Sequence, residues 1–410
     1  MSLKVLMFGW EFPPTNTGGL GTACYGLTKG LAQNGVEITL VLPQASMNMN
    51  SQPDFLKIRN AGSIQEKLKI KTVKSALTPY MGSSEYEQHL ARMAKATGQK
   101  PIYGSNLFEE VERFAIQAEA IAKEEEFDII HSHDWMTYKA GIAAKKASGK
   151  PLIVHVHATE FDRTGGLGCN EHVYHIEKTG MEQADAVIAV SGYTKQKIMQ
   201  SYGIPEQKIR VVHNAIDKDD IPHIKTQKKP CKTVLYLGRM TLQKGPDYFL
   251  EAAKKSLDVD PSIRFIMAGS GDMEPKMIER AAQLGIADKV LFAGFLRDEE
   301  KHRAYRAADL YVMPSVSEPF GITPLESVMN HTPAIISKQS GVKEVLKNCL
   351  QVDFWDTDQM ANKIIAALRY KELHSELQRN GYEEASKLSW NKSARECIEI
   401  YQSIIGMAAS

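Results

Sequence analysis

Short apolar runs alternate with longer stretches whose apolar residues recur at helical spacing, and this alternation begins twice along the chain. In the first half, Leu3–Trp10, Val36–Pro43, Ala184–Val190 and a run opening at Ile209 read as buried strands, and Phe127–Trp135 and Pro151–Glu160 as strands ending in loops. Helical patterns lie between them: Thr22–Gln33, Leu107–Lys123 with Phe108, Val111, Phe114, Ala118 and Ile121 on one stripe, and a helix ending near Tyr202. A polar, basic segment, Lys218–Cys231, with Pro222 and Pro230, reads as a linker. Strands then restart at Thr233–Leu237, followed by Arg264–Ala268, Lys289–Ala293, Asp309–Pro314, Pro333–Ser337 and Cys349–Val352, with helices between. Helices from Thr357 end the chain, Trp390–Ile405 carrying Trp390, Ala394, Ile398, Tyr401 and Ile405 at helical spacing.

Such alternation predicts an α/β protein of two doubly wound, Rossmann-like domains. The expected boundaries are 1–217 for the first domain, 218–386 for the second and 387–410 for a final helix. The stretch 44–106 lacks clear periodicity and is expected to be an insertion near the cleft, an acceptor-side flap.

Composition narrows the function classes. A chain of 410 residues is long for one core, and 43% hydrophobic with 24% charged residues describes a globular protein. With 50 basic against 49 acidic residues, the net charge gives no reason to expect nucleic acid as a partner. Five dispersed cysteines, none in a Cys-x-x-Cys arrangement, suit a reducing compartment. With no signal peptide and no long apolar run, the expected location is the cytoplasm and no transmembrane segment is expected.

Candidate chemistry gathers where strands give way to helices. Ser317-Glu318-Pro319-Phe320-Gly321-Ile322-Thr323-Pro324-Leu325-Glu326 links an apolar strand to a helix start, where unpaired N–H groups and the positive end of the helix dipole make an anion site. Locally, Glu326 also fits a capping box with Thr323 as N-cap, and Glu318 a solvated loop acid. Arg239 and Lys244 lie in another strand-to-helix loop, a planar fork and a movable point charge suited to a diphosphate, or else two surface cations. Gly18 and Gly19 ahead of the first helix, and Gly269 in Gly269-Ser270-Gly271, would let backbone approach a ligand; a plain turn explains each equally well. His131/His133 and His155/His157 are i, i+2 pairs, each sharing one strand face, which suits packed strand-end histidines or metal ligands.

Glu318-x7-Glu326, Gly238-Arg239-x4-Lys244, His-Ser-His-Asp-Trp at 131–135 and His157-Ala-Thr-Glu-Phe-Asp-Arg163 together resemble the retaining nucleotide-sugar glycosyltransferases of the GT-B fold, the glycosyl transferases group 1 and glycogen synthase relatives. The resemblance covers most of the chain and implies two Rossmann-like domains facing across a cleft, with the terminal helix returning to the first. It implies that Glu318 contacts the donor sugar, Glu326 the ribose, Arg239 and Lys244 the diphosphate, and His157 the surroundings of the anomeric carbon. It also implies that Gly18, Gly19, Gly269, Gly321, Ile322 and Thr323 offer backbone to the nucleotide sugar. The relatives' Lys-Thr-Gly-Gly-Leu loop reads Asn16-Thr17-Gly18-Gly19-Leu20 here, which shifts the expected donor from ADP- toward UDP-glucose. No metal and no resident cofactor is expected; the partners are a nucleotide-sugar donor and a glycan acceptor, an α-glucan first. Rival readings are a sugar-nucleotide epimerase on the same fold, a metal-dependent hydrolase using the His-x-His pairs, and a non-catalytic scaffold.

Overall fold

The computed structural model describes residues 2–13, 18–43, 68–73, 106–166, 168–224 and 231–409. The first half contains β1 (Lys4–Phe8), α1 (Gly19–Gln33), β2 (Glu37–Pro43), β3 (Leu68–Val73), α2 (Leu107–Glu124), β4 (Ile129–His133), α3 (Trp135–Ser148), β5 (Leu152–Val156), α4 (Glu160–Arg163), α5 (Glu171–Gln183), β6 (Ala186–Ala189), α6 (Gly192–Tyr202) and β7 (Ile209–Val211). Its strands form a parallel sheet in the order β3-β2-β1-β4-β5-β6-β7. β4, β5 and β6 are buried at every position, as strands covered by helices on both faces must be.

The second half contains β8 (Thr233–Leu237), α7 (Pro246–Val259), β9 (Arg264–Ala268), α8 (Glu274–Gln283), β10 (Val290–Gly294), α9 (Asp298–Ala307), β11 (Leu310–Met313), α10 (Ile322–Met329), β12 (Ala334–Ser337), β13 (Leu350–Val352), α11 (Thr357–Arg369), α12 (Lys371–Ala385) and α13 (Trp390–Ala409). The sheet order is β10-β9-β8-β11-β12-β13, again parallel. In both sheets the order reverses beside the first strand, between β1 and β4 and between β8 and β11. A doubly wound sheet leaves a crevice at that point, outside the carboxyl ends of its strands, and ligands settle there.

Within the expected 44–106 insertion, Leu68–Val73 is instead the edge strand of the first sheet, paired with β2 from Ile38 to Pro43. Residues 44–67 and 74–105 lie outside the described residues, and with them the expected flap.

The terminal helix α13 returns to the first sheet's layer and packs on α1. Small residues make this close approach feasible. A Cβ at Gly26 would lie 2.2 Å from the Trp390 indole, and one at Gly30 2.5 Å from the Trp390 carbonyl oxygen. Trp390 N–H donates to Asp217 and Ser393 Oγ to the His213 carbonyl, fixing the helix start. Gly26→Val is therefore expected to lower the thermal midpoint by several degrees and to raise hydrogen exchange across 390–409, an overpacking cost of about 1–3 kcal/mol. Gly406→Ala, inside the same helix but with open space around the added carbon, should lower no midpoint and raise no exchange.

Candidate active site

The second switch point collects the C-terminal candidates. β8 runs into Gly238-Arg239, and a short 3-10 turn, Leu242–Lys244, leads through Gly245 (φ 62°) into α7. Pro246 at the first helical position suits a turn whose N–H groups have no helical partner anyway. Across the crevice, β11 leads into the Ser317–Gly321 loop and α10. Lys244 Nζ meets Glu318 Oε2 at 2.6 Å, and Ser315 Oγ donates to the same oxygen at 3.0 Å. Glu318 is buried, so the solvated-acid reading does not hold. Arg239 reaches Gln243 Oε1, while Gln243 donates to the Ser317 carbonyl and accepts from Val316 N–H, so both cation-bearing turns are tied to the Glu318 loop.

The helix after this loop begins earlier than the capping box requires. Gly321, at φ 102°, is the N-cap of α10 and Ile322 its first residue, so Thr323 and Pro324 already lie inside the first turn. Thr323 Oγ1 accepts from Tyr311 OH, and Glu326 binds Lys301 Nζ at 2.5 Å and Tyr305 OH at 3.1 Å. A buried carboxylate gains more from an ammonium than from a neutral backbone N–H, which explains the departure. The Ile322 and Thr323 backbone N–H groups, with no residue one turn earlier in the helix to accept from them, stand at the helix start as anion donors.

Gly269 has a structural reason of its own. At φ 132°, its Cβ would fall 1.9 Å from the Gly238 carbonyl oxygen, so the β9 loop lies directly against the Arg239 turn.

The first switch point holds the N-terminal candidates. Gly18 caps α1 and Gly19 begins it, and buried Glu11 accepts the Gly21 N–H at 3.0 Å. β4 and β5 place four imidazoles on one face, because His133 and His155 are direct lateral partners in the register. His131 and His155 stack at 5.3 Å and 6°, His131 and His133 at 4.3 Å, and His155 and His157 at 4.3 Å. Hydrogen bonds run His131 Nδ1 to Tyr401 OH at 2.6 Å, His131 Nε2 to His155 Nδ1 at 3.3 Å, and His133 Nδ1 to His157 Nε2 at 2.9 Å. His131 and His155 thus bond to side chains rather than to the backbone groups expected for packed strand-end histidines. Burial drives all four below their ordinary range, His133 to about 3, so they are neutral at pH 7. As neutral imidazoles they have the lone pairs of metal ligands. His131, His133 and His155, and separately Cys24, His133 and His157, each bring one ligand atom per residue within 4.8 Å of one another.

Asp134, at φ 58°, holds the His157 loop from below, its Oδ1 accepting from His157 N–H at 2.7 Å and Ala158 N–H at 3.3 Å. Burial pushes its carboxyl up to about 7, against the pull of Arg163 and those two N–H groups. Arg163 spans Glu160 and Glu177.

The two halves meet on the Glu318 loop. Ser317 Oγ donates to Asp162 Oδ1 at 2.6 Å and receives Lys197 Nζ at 2.6 Å, and Lys197 also pairs with Asp162. Ser191 Oγ and Thr194 Oγ1 donate to the Pro319 carbonyl at 2.5 and 3.1 Å. Glu344 accepts the first N–H groups of α6, from Gly192 and Tyr193, and pairs with His213 at 2.8 Å. Among the described residues no hydrogen bond joins His157, Gly18 or Gly19 to the second half. Sequence patterns missed Lys301, Tyr305 and Lys197, single polar residues inside helices with no motif to mark them.

Two family models account for most of the chain: Glycosyltransferase Family 4 over residues 17–220 and Glycosyl transferases group 1 over 217–384. The chain thus joins a Glycosyltransferase Family 4 domain to a Glycosyl transferases group 1 domain. It is 27% identical to an uncharacterized glycosyltransferase of Methanocaldococcus jannaschii over 98% of each chain. It is 24% identical to the glycogen synthase of Mycobacterium tuberculosis over 84% of this chain and 80% of that one. Among solved structures, the sucrose-phosphate synthase from Thermosynechococcus elongatus superposes with a TM-score of 0.74 at 19% identity, covering 100% of both chains. Anabaena HepE in complex with UDP and glucose superposes with a TM-score of 0.69 at 16% identity, over 98% of this chain and 100% of that one. This glycosyltransferase therefore has the GT-B fold, two Rossmann-like units with their switch points turned toward each other. No helix among its described residues is long and apolar enough to cross a membrane.

Proposed function

We propose that this group 1 glycosyltransferase moves glucose, with retention and without a metal, from UDP-glucose to an α-glucan acceptor in the cytoplasm. The observation that carries the reading is the Lys244–Glu318 contact at the second switch point, beside the N-terminus of α10. The costly event in such a transfer is departure of a nucleoside diphosphate while the sugar becomes cationic. Lys244, Arg239 and the first N–H groups of α10 would stabilise the departing charge, each by about 3 kcal/mol by analogy with oxyanion-hole donors. Glu318 would stay with the sugar and offset its positive charge, and Glu326, held by Lys301 and Tyr305, would meet the ribose. Gly269, close-packed on Gly238, would let nucleotide groups lie along the backbone.

Retention by front-face attack within an ion pair is favoured because the buried acids of the first half are already engaged. Glu11 and Asp134 hold backbone N–H groups, Glu160 and Glu177 hold Arg163, and Asp162 holds Lys197. None is left as an evident nucleophile on the far side of the sugar. His157 would border the anomeric carbon, with Gly18 and Gly19 near the donor. Glucose transfer to a glucan follows the resemblance to glycogen synthases, UDP follows from Asn16 in place of the relatives' loop lysine, and the five free cysteines suit a reducing cytosol.

A thermal-shift panel of UDP-, ADP- and GDP-sugars with the free diphosphates tests this, since a ligand that binds only the folded state raises the midpoint. UDP and UDP-glucose are expected to give the largest shifts, and the anomer of the product should match the donor. Transfer should survive a strong chelator; its loss would favour the histidine tier as a metal centre, and donor consumption without acceptor would favour an epimerase.

A further inference from the structure

One buried carboxylate is fastened to both of the loops that carry candidate catalytic residues. Asp162, on α4, is almost wholly buried. Its Oδ2 accepts from the Thr159 backbone N–H at 2.8 Å and from Thr159 Oγ1 at 2.7 Å, and Thr159 stands two residues after His157. Its Oδ1 accepts from Ser317 Oγ at 2.6 Å and from Lys197 Nζ, and Ser317 stands one residue before Glu318. Lys197 also donates to Ser317 Oγ at 2.6 Å, closing a triangle across the two halves.

A carboxylate has room for about four donors, two on each oxygen, and all of those places are taken here. Asp162 therefore has nothing left to offer a substrate. Helix capping accounts for Oδ2 alone, as the partner of Thr159 in the capping box of α4. It gives no reason for Oδ1 to meet Ser317, 155 positions along the chain. Burial on its own would raise the Asp162 carboxyl, but the Lys197 ammonium and the donors from Ser317 and Thr159 hold it below its ordinary value, so it stays an anion at neutral pH. That charge serves the geometry. An ionised carboxylate accepts on both oxygens, whereas an amide of the same shape would turn its NH2 toward one pair of donors.

From its own half, the Glu318 loop is held by Gln243 at the Ser317 carbonyl and by the Gln339 carbonyl at the Glu318 N–H. Those contacts tie it to the second sheet, not to the His157 loop. Ser191 and Thr194 reach Pro319 from the first half, but among the described residues neither bonds to the His157 loop. The Asp162 carboxylate bonds to both sides.

The geometry points to Asp162 as a positioning residue that sets the spacing between the His157 loop and the Glu318 loop, with Lys197 as the counter-charge that keeps its carboxylate in place. The inference rests on the transferase reading above and adds two residues of the first half that act without touching donor or acceptor. In that reading His157 and Glu318 approach one anomeric carbon from opposite halves, so an error in their spacing falls on the transition state and not on nucleotide binding. A displacement on the order of 1 Å in a reacting group can cost about 100-fold in rate.

The test compares the wild type with Asp162→Asn, Ser317→Ala and the double variant by steady-state turnover of UDP-glucose, by the thermal shift that UDP gives, and by amide hydrogen exchange. Ser317→Ala leaves the Asp162–Lys197 pair whole, so it reports on the bridge even where Asp162→Asn folds poorly. Expected are a kcat at least tenfold lower in each single variant, a KM for UDP-glucose within twofold of the wild type, and an unchanged UDP shift, a split that general loss of structure would not produce. The double variant should be no slower than Asp162→Asn, and Asp162→Asn should raise exchange in 157–160 and 316–320 together. A kcat within twofold of the wild type in Ser317→Ala with the UDP shift intact, or faster exchange in one loop only, overturns the assignment while leaving an active transferase. If the wild type consumes no nucleotide sugar, the transferase reading falls and this inference with it.

Discussion

Glu318→Ala is expected to lower turnover by at least about 100-fold with the fold intact, and Lys244→Ala to do the same, the loss of one well-placed charge-stabilising group being worth about 3 kcal/mol. The two side chains form one ion pair, which makes the comparison informative. Lys244→Ala leaves Glu318 buried with Ser315 as its remaining hydrogen-bond donor, and Glu318→Ala leaves Lys244 a half-buried cation without its carboxylate. Each single variant should therefore lose some stability, and the double alanine variant should lose less than the sum, since no charge is stranded. Activity should behave differently. Lys244 acts on the leaving diphosphate and Glu318 on the sugar, so UDP should stabilise Glu318→Ala nearly as it does the wild type, and Lys244→Ala less. Steady-state turnover and UDP thermal shifts measured on the same samples separate the two roles. Near-normal turnover in either single variant would remove that residue from the chemistry.

How far the sequence carried this site depends on whether a residue's role was written in its neighbours. Lys244 and Glu318 were readable because each stands in a strand-to-helix loop, and the α/β alternation places all such loops at the carboxyl edge of a parallel sheet. Glu326 was legible as important, but its capping-box reading failed, since the left-handed Gly321 starts the helix before Thr323 and frees the carboxylate for Lys301 and Tyr305. Neither partner could be inferred, being some twenty positions upstream in an ordinary charged helix. The Asp162–Lys197–Ser317 bridge joins residues 35 and 120 positions apart, and no periodicity encodes such a meeting. β3 escaped notice because Leu68–Val73 alternates Lys with apolar residues, as an edge strand does, inside a long stretch of weak pattern. The histidine pairs announced a shared strand face. That the two pairs would interleave into one stack followed only from the β4–β5 register.

That stack should make the protein sensitive to acid, and the sign follows from the direction of the shifts. All four imidazoles have folded-state pKa values far below the ordinary 6.5, so they bind protons only on unfolding; the stability they contribute is complete above about pH 7 and is lost as pH falls below 6.5. At pH 5 the loss depends on the unfolded value alone, provided the folded groups stay neutral there, and amounts to about 2 kcal/mol each, or roughly 8 in total. Asp134 works the other way. Its folded pKa of about 7 means the native state holds a proton the unfolded chain has released, so acidification returns about 3 kcal/mol by pH 5. The net loss of about 5 kcal/mol between pH 8 and pH 5 is comparable with the whole stability of an ordinary domain. Urea midpoints are expected to fall steeply across that interval. His155→Phe keeps a ring in the stack but removes one proton uptake, and should flatten the dependence by about 1.4 kcal/mol per pH unit below pH 6. The groups packed around it, Cys24, Tyr138 and Tyr401, have pKa values raised by burial and stay neutral throughout. Imidazole proton resonances that titrate near 6.5 in the folded protein, or an unaltered slope in His155→Phe, would show that the tier already carries charge and is held together some other way.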